Sequence, residues 1–232
     1  MQMKTWIAAG LLALFANAAF AEKAPETWDG LVEVKSKKFD AAYLAPGADF
    51  RPYTKIMVDP TQVAFRKNWM KDINDERGVT RKVTEEDAKE ILEAARTNFD
   101  DIFHEAFTKA GYTVVTTPGA DVLRVATGVV NLYLNAPDTM SATRTRTYTA
   151  NAGEATLVIE LRDALTGALL GRVLDRRETL DSGMQWSNRV TNTSDFRNLF
   201  KTWSSITVKG LAGLKEISPL PDPLTPGQKL GQ

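Results

Sequence analysis

The feature that most limits this chain is something it lacks: the leader reads as an export signal, yet the sequence contains no cysteine. Exported domains commonly lean on disulfides, so a chain without them has to be held by its hydrophobic core. The leader is Met1–Ala21, MQMKTWIAAGLLALFANAAFA. Lys4 supplies a positive start, Ile7–Ala16 is an apolar run, and Ala19-Phe20-Ala21 matches a small-x-small cleavage site. A short membrane anchor is the weaker alternative, because a span wants about 20 apolar residues. Cleavage near Ala21 leaves a chain long enough to bury a sizeable core. No cysteine follows that site to carry a lipid, and no later stretch is apolar enough to cross a bilayer. The expectation is a periplasmic or secreted protein, not lipid-anchored through cysteine, with no transmembrane segment in the mature chain.

Composition removes many function classes. Lys plus Arg and Asp plus Glu both count 29, so there is no global basic footprint and nucleic acid is not an expected partner. Without cysteine there is no thiolate zinc, iron–sulfur cluster or cysteine nucleophile. One histidine excludes a multi-histidine metal site. At 43% hydrophobic and 25% charged residues, the chain has the make-up of an ordinary globular domain.

Residues 22–52 are mixed in composition and read as an N-terminal lead-in packed on the domain. Tyr53–Phe65 has strand character, interrupted at Asp59-Pro60, where proline lacks the ladder donor. Arg66–Val83 reads as polar and irregular. The clearest element comes next: Thr84 caps a helix expected over Glu85–Ala110, with Asp87 three residues on. Its stripe is Ile91, Leu92, Ala95, Phe99, Ile102, Phe103 and Phe107, and Gly111 stops it. Tyr112–Thr116 is a short strand and Val122–Leu134 a central one. Glu154–Asp163 and Ala168–Leu180 pair around an Asp163-Ala-Leu-Thr-Gly167 turn. A second helix is expected from about Asp195 to Ile217, although Gly210 and Gly213 weaken its far end. The prolines of residues 218–232 predict a flexible tail.

The order β-α-β-β-β-β-α predicts an α+β two-layer sandwich over residues 53–217: two amphipathic helices on a mostly antiparallel sheet of about five strands. If the first helix runs antiparallel to the first strand and the last four strands form an up-and-down meander, the polar linkers Asn135–Gly153 and Asp181–Ser194 leave one end of the sheet. Arg66–Val83 then lies at the other. Long loops in compact domains tend to be functional or disordered. The shared end carries Arg144, Arg146, Tyr148, Trp186 and Arg189, residue types that interfaces use. These five are the candidate partner-binding residues.

Catalytic constellations fail when tested. His104 sits on the polar flank of the first helix, beside Asp100 and Asp101, where no cleft holds a nucleophile against it. Asp72, Asp75 and Glu76 lack calcium-loop spacing and stand among Lys71 and Arg77. No glycine-rich phosphate loop or serine elbow is present. Arg172, Arg176 and Arg177, balanced by Asp175 and Glu178, read as a salt-bridged sheet edge. No catalytic residue, cofactor or metal is therefore expected.

Several stretches carry a family resemblance: Asp29-Gly30-Leu31, Tyr43-Leu44-Ala45-Pro46-Gly47-Ala48-Asp49, Val58-Asp59-Pro60 and Asp163-Ala-Leu-Thr-Gly167. Over roughly Asp29 to Ile217 the chain resembles DUF3313, a bacterial family of unknown function associated with envelope lipoproteins. The resemblance implies an envelope protein of Gram-negative bacteria and supplies no catalytic residues. A lipoprotein needs a cysteine at its processing site, whereas here Ala21-Glu22 stands there. The expected function is a non-catalytic interaction or assembly module that binds an envelope protein. A periplasmic binder of small ligands or cell-wall fragments is the alternative, and an enzyme the weakest reading.

Overall fold

The computed structural model describes residues 25–77, 82–134, 151–180 and 189–230, so the leader lies outside the described residues. Three long strands form the spine: β7 (Val122–Leu134), β8 (Asn151–Asp163) and β9 (Leu169–Leu180). They pair antiparallel as a meander, Val129 facing Leu157 and Val158 facing Leu174. The expected Asp163–Gly167 turn closes the last hairpin, with Gly167 at φ 73. There Asp163 Oδ1 accepts the backbone N–H groups of Leu165 and Thr166. Such an Asx arrangement offers the chain a ready turn.

The sheet has ten strands among the described residues, so the expectation of about five is an undercount. The lead-in contributes β1 (Thr27–Trp28), β2 (Leu31–Lys35) and β3 (Ala41–Leu44), which extend the spine from β9 outward. Residues 22–52 thus belong in part to the sheet rather than lying over it. On the other side β4 (Lys55–Val58) and β5 (Gln62–Phe65) both run parallel to β7, and β6 (Thr113–Val114) runs parallel beyond β4. The break at Asp59-Pro60 falls between β4 and β5, and the displaced Thr61 N–H donates to Asp100 Oδ1 instead. The sheet is therefore mixed: its longest pairings are antiparallel, as expected, and parallel strands are added on the β7 side and at β10.

Among the described residues three helices cover one face, one more than expected: α1 (Trp69–Arg77), α2 (Glu85–Lys109) and α3 (Arg189–Ile217). Helix α1 lies inside the stretch read as irregular. Its apolar contribution is Trp69 and Ile73, one turn apart and each 1% exposed. Thr84 caps α2 in a full capping box with Asp87, as the sequence predicts. Phe99, Ile102, Phe103 and Phe107 of α2 meet Phe196, Leu199, Phe200 and Trp203 of α3 over Leu123, Val125, Leu157 and Ile159 of the sheet. Gly210 and Gly213 do not stop α3, which runs on to Ile217.

The tail beyond Ile217 is packed where a flexible segment was expected. Leu220 and Leu224 are buried in the main core, Leu220 N–H donates to Ala48 O, and Gly47 N–H donates to Pro221 O. Strand β10 (Gln228–Lys229) then pairs parallel with β2. The prolines end the helix, but the leucines between them are apolar enough to dock the chain.

Candidate functional site

Strand direction decides which loops meet. Phe65 of β5 stands beside Leu132, Leu134 faces Gly153, and Asn151 faces Leu180, so these strand ends share one end of the sheet. Helix α3 begins at the same end, where a Cβ on Gly153 would lie 3.1 Å from Phe196 Cζ. The linkers 135–150 and 181–188 therefore leave from one end, as expected. Arg66–Val83 also starts there, not at the opposite end: Trp69 Nε1–H donates to Leu134 O at 3.1 Å. The expectation failed because β6 does not form a hairpin with β7. Both flank β4 in the same direction, which reverses the sense assumed for everything before them.

Of the candidate residues, Arg144, Arg146, Tyr148 and Trp186 lie outside the described residues, and Arg189 is the first residue of α3. The strand ends beneath them carry a cluster that the sequence did not single out. The Arg66 guanidinium lies 3.8 Å over the Tyr133 ring and 3.6 Å from Glu154 Oε1. Glu154 Oε2 accepts from Arg176 Nη2 at 2.5 Å, and this contact holds the Arg176 guanidinium above its ordinary pKa. Arg66 also approaches Asp72 of α1 at 3.8 Å. Two register irregularities aim these side chains: one between Val130 and Tyr133, with Asn131 at φ 52, and one between Asn151 and Glu154. Bulges of this kind bend a strand and redirect the residues beyond them. The Glu154 carboxylate is largely enclosed while both arginines reach solvent, so guanidinium groups beside an aromatic ring are presented there, with Asp72 as a second counter-charge.

A second cluster lies on the helix-free face. Glu160 is 1% exposed and shared by two arginines. Oε1 accepts from Arg172 Nε (3.0 Å) and Nη2 (2.6 Å), and Oε2 from Arg162 Nε (3.0 Å) and Nη2 (2.7 Å). Arg172 Nη2 also donates to Asp29 Oδ2 at 2.8 Å, and Trp28 stacks on that guanidinium at 4.1 Å. Trp28 meets Tyr43 edge-on at 5.8 Å. Burial pushes the Tyr43 phenol up, Glu33 adds to this, and Arg172 opposes it. Strand β9 lies between β3 and β8, so Arg172, Arg176 and Arg177 do not mark a sheet edge. They are ion-paired as expected, Arg177 with Asp175, whose Oδ2 also accepts from Trp203 Nε1.

His104 is exposed on α2. Among the described residues, no three His, Cys, Asp or Glu side chains converge as a metal group, and no helix is long and apolar enough to cross a membrane.

The fold and these clusters define a mixed α+β domain: an open sheet with helices on one face and paired charges on the other. The chain belongs to DUF3313, a family of proteins of unknown function, through residues 20–206. No curated protein matches it. A DUF330 protein from Xanthomonas campestris is similar at TM-score 0.44 and 10% identity, over 79% of this chain and 91% of that one. The PelC dodecamer subunit from Paraburkholderia phytofirmans is similar at TM-score 0.33 and 12% identity, over 71% and 96%. A minor lipoprotein from Acinetobacter baumannii is similar at TM-score 0.33 and 7% identity, over 69% and 93%. Each likeness is one of chain path alone.

Proposed function

We propose that the protein is an exported, non-catalytic interaction module of the bacterial envelope, and that its partner docks where β5, β7, β8 and β9 end together. The observation that carries this reading is the Arg66–Tyr133–Glu154–Arg176 cluster at that end. Arginine stacked on an aromatic ring and anchored by a shared carboxylate loses little side-chain freedom when it meets a partner. The segment Thr143–Thr149, with Arg144, Arg146 and Tyr148, connects strands rooted beside that cluster and extends the same chemistry. Trp186, in the neighbouring connection, and Arg189, which opens α3, complete the partner surface we propose. The leader supports export, and the unanchored periplasmic form rests on the missing cysteine.

Photo-cross-linking in cells tests it. A photo-reactive residue replaces Tyr148, and a control replaces Leu165, which is 60% exposed on the opposite hairpin tip. One dominant envelope protein captured from position 148 alone, and lost with Arg66→Ala plus Arg176→Ala in a folded chain, is the expected result. Equal capture from both positions, or none from position 148 in a folded exported protein, overturns the reading.

A further inference from the structure

The helix-free face holds a half-used arginine. Arg172 is 1% exposed, and its Nε and Nη2 are occupied by Glu160 and Asp29. Its Nη1 is buried and has no hydrogen-bond partner among the described residues. A buried cationic donor left unmade is costly, and the face of Trp28 compensates only the charge. The Nη1–Nη2 edge of a guanidinium is a fork that matches the two oxygens of a carboxylate. Asp29 occupies one tine of that fork.

Asp29 is an unusual occupant. Its side chain is 47% exposed, and it sits at φ 53 beside Gly30 at φ 80, a pair of left-handed residues forming a two-residue hairpin turn. The β1 side of that hairpin is held by two register pairs, Thr27 with Val32 and Trp28 with Leu31. So short a ladder is weakly held by its backbone. Lifting it gives up the Glu33 N–H bond to Glu26 O and the Trp28 contacts with Arg172 and Tyr43, which the incoming ligand has to replace. The charges also favour an exchange. Arg162 and Arg172 share the single carboxylate of Glu160, which leaves one positive charge that Asp29 neutralises. With Asp29 lifted, that charge and the open fork face outward beside Tyr43, the register partner of Arg172.

We propose that this is a binding site for a carboxylate-bearing ligand, in which the ligand carboxylate displaces Asp29 and takes Arg172 Nη1 and Nη2 together, with the Trp28–Gly30 turn as the flap. A peptide C-terminus and an acidic sugar share this chemistry. The site is separate from the proposed docking end, since Glu154 and Glu160 are six residues apart on one strand, roughly 20 Å.

The test is an NMR titration of the folded full chain, following Arg172 Nε–H and the Trp28 indole N–H. The probes are acetate, glucuronate, and an acetylated dipeptide with a free or an amidated C-terminus, at constant ionic strength. The expected result is a saturable shift at both protons with the carboxylates and none with the amidated peptide. Asp29→Asn removes the internal competitor and tightens acetate binding about tenfold, the scale of one charge-assisted hydrogen bond. Stronger binding of glucuronate, or of the free-acid peptide, identifies the source. Arg172→Lys abolishes the shift; should that variant not fold, Asp29→Asn alone decides. No saturable shift in either wild type or Asp29→Asn overturns the proposal and leaves water as the occupant of the fork.

Discussion

Glu160→Gln separates the two arginines that share its carboxylate. The wild-type side chain accepts four hydrogen bonds, two on each oxygen, from groups held by neighbouring strand positions. Glutamine keeps one acceptor oxygen and turns an amide NH2 toward the other arginine, donor against donor. Arg162 has a 28% exposed side chain and can turn its guanidinium to water. Arg172, at 1%, cannot, so the uncompensated charge is a buried one. Breaking a buried pair in this way costs about 3–5 kcal/mol. For a domain of this size that is a fall in Tm of roughly 6–20 °C. Arg162→Gln leaves the Glu160–Arg172 contact intact and keeps an amide N–H that can donate to Glu160 Oε2, so it should cost clearly less than Glu160→Gln, about 1–2 kcal/mol. Urea unfolding followed by far-UV circular dichroism measures both, with m unchanged if the native state is preserved. The reasoning is refuted if Glu160→Gln lies within about 1 kcal/mol of wild type, or if Arg162→Gln costs as much.

Asp163 provides a pH test. Its carboxyl is held below the usual carboxylate range, chiefly by the Thr166 backbone N–H, then by the Thr166 and Tyr53 hydroxyls, against its own burial. A depressed folded value stabilises the fold above the unfolded pKa, near ~3.9, and that stability is lost as pH falls through the folded value. The stability gap between wild type and Asp163→Asn should therefore close as urea midpoints are measured from neutral pH down through about pH 4 and below. A gap independent of pH contradicts it. Two glycines predict opposite signs. A Cβ at Gly153 would stand 1.9 Å from Tyr133 O, so Gly153→Ala forces the β7–β8 backbone apart and should cost more than about 3 kcal/mol. A Cβ at Gly213 meets nothing among the described residues within 4 Å, so Gly213→Ala should add about 0.5–1 kcal/mol by helix propensity. Thermal melts of both variants decide this. Leu220→Ala should cost about 2–5 kcal/mol in urea unfolding, since Leu220 is 3% exposed; a loose tail would lose nothing.

The elements that can be read from the sequence are those whose periodicity outlasts a few residues. The Thr84 capping box and the phenylalanine stripe announce α2, and alternation over Glu154–Asp163 announces β8. Strands of two to five residues, such as β1, β2 and β10, are too short for alternation to register and depend on neighbours distant in sequence. One of them did leave a local mark. Asp29-Gly30 between Trp28 and Leu31 is the pair favoured in a two-residue hairpin turn, and both residues adopt positive φ. Helix α1 likewise left Trp69 and Ile73 one turn apart, which composition alone obscured. The Arg66 cluster left no such mark, because its members come from the end of β5, a bulged β7, β8 and β9. Only the parallel sense of β5 against β7 brings Arg66 to Tyr133.

Register also decides which side chains stand on the helix-free face. Counting back from the Asp163–Ala168 turn, a regular ladder would set Leu161 opposite Leu170 and Glu160 opposite Gly171. The observed ladder pairs Arg162 with Leu169 but Leu161 with Gly171, passing over Leu170. That single extra residue exchanges the faces of everything beyond it, since side chains alternate along a strand. In the regular ladder Arg172 would pair with Ile159 and point into the apolar layer beneath the helices. In the observed one it stands opposite Glu160 on the helix-free face, and Asp175 turns inward to meet Trp203 Nε1. The bulge therefore places the buried carboxylate, its two arginines and the half-filled fork of Arg172 on one surface. The extra residue keeps those charges out of the helix-covered core, and the binding chemistry proposed at Arg172 depends on it.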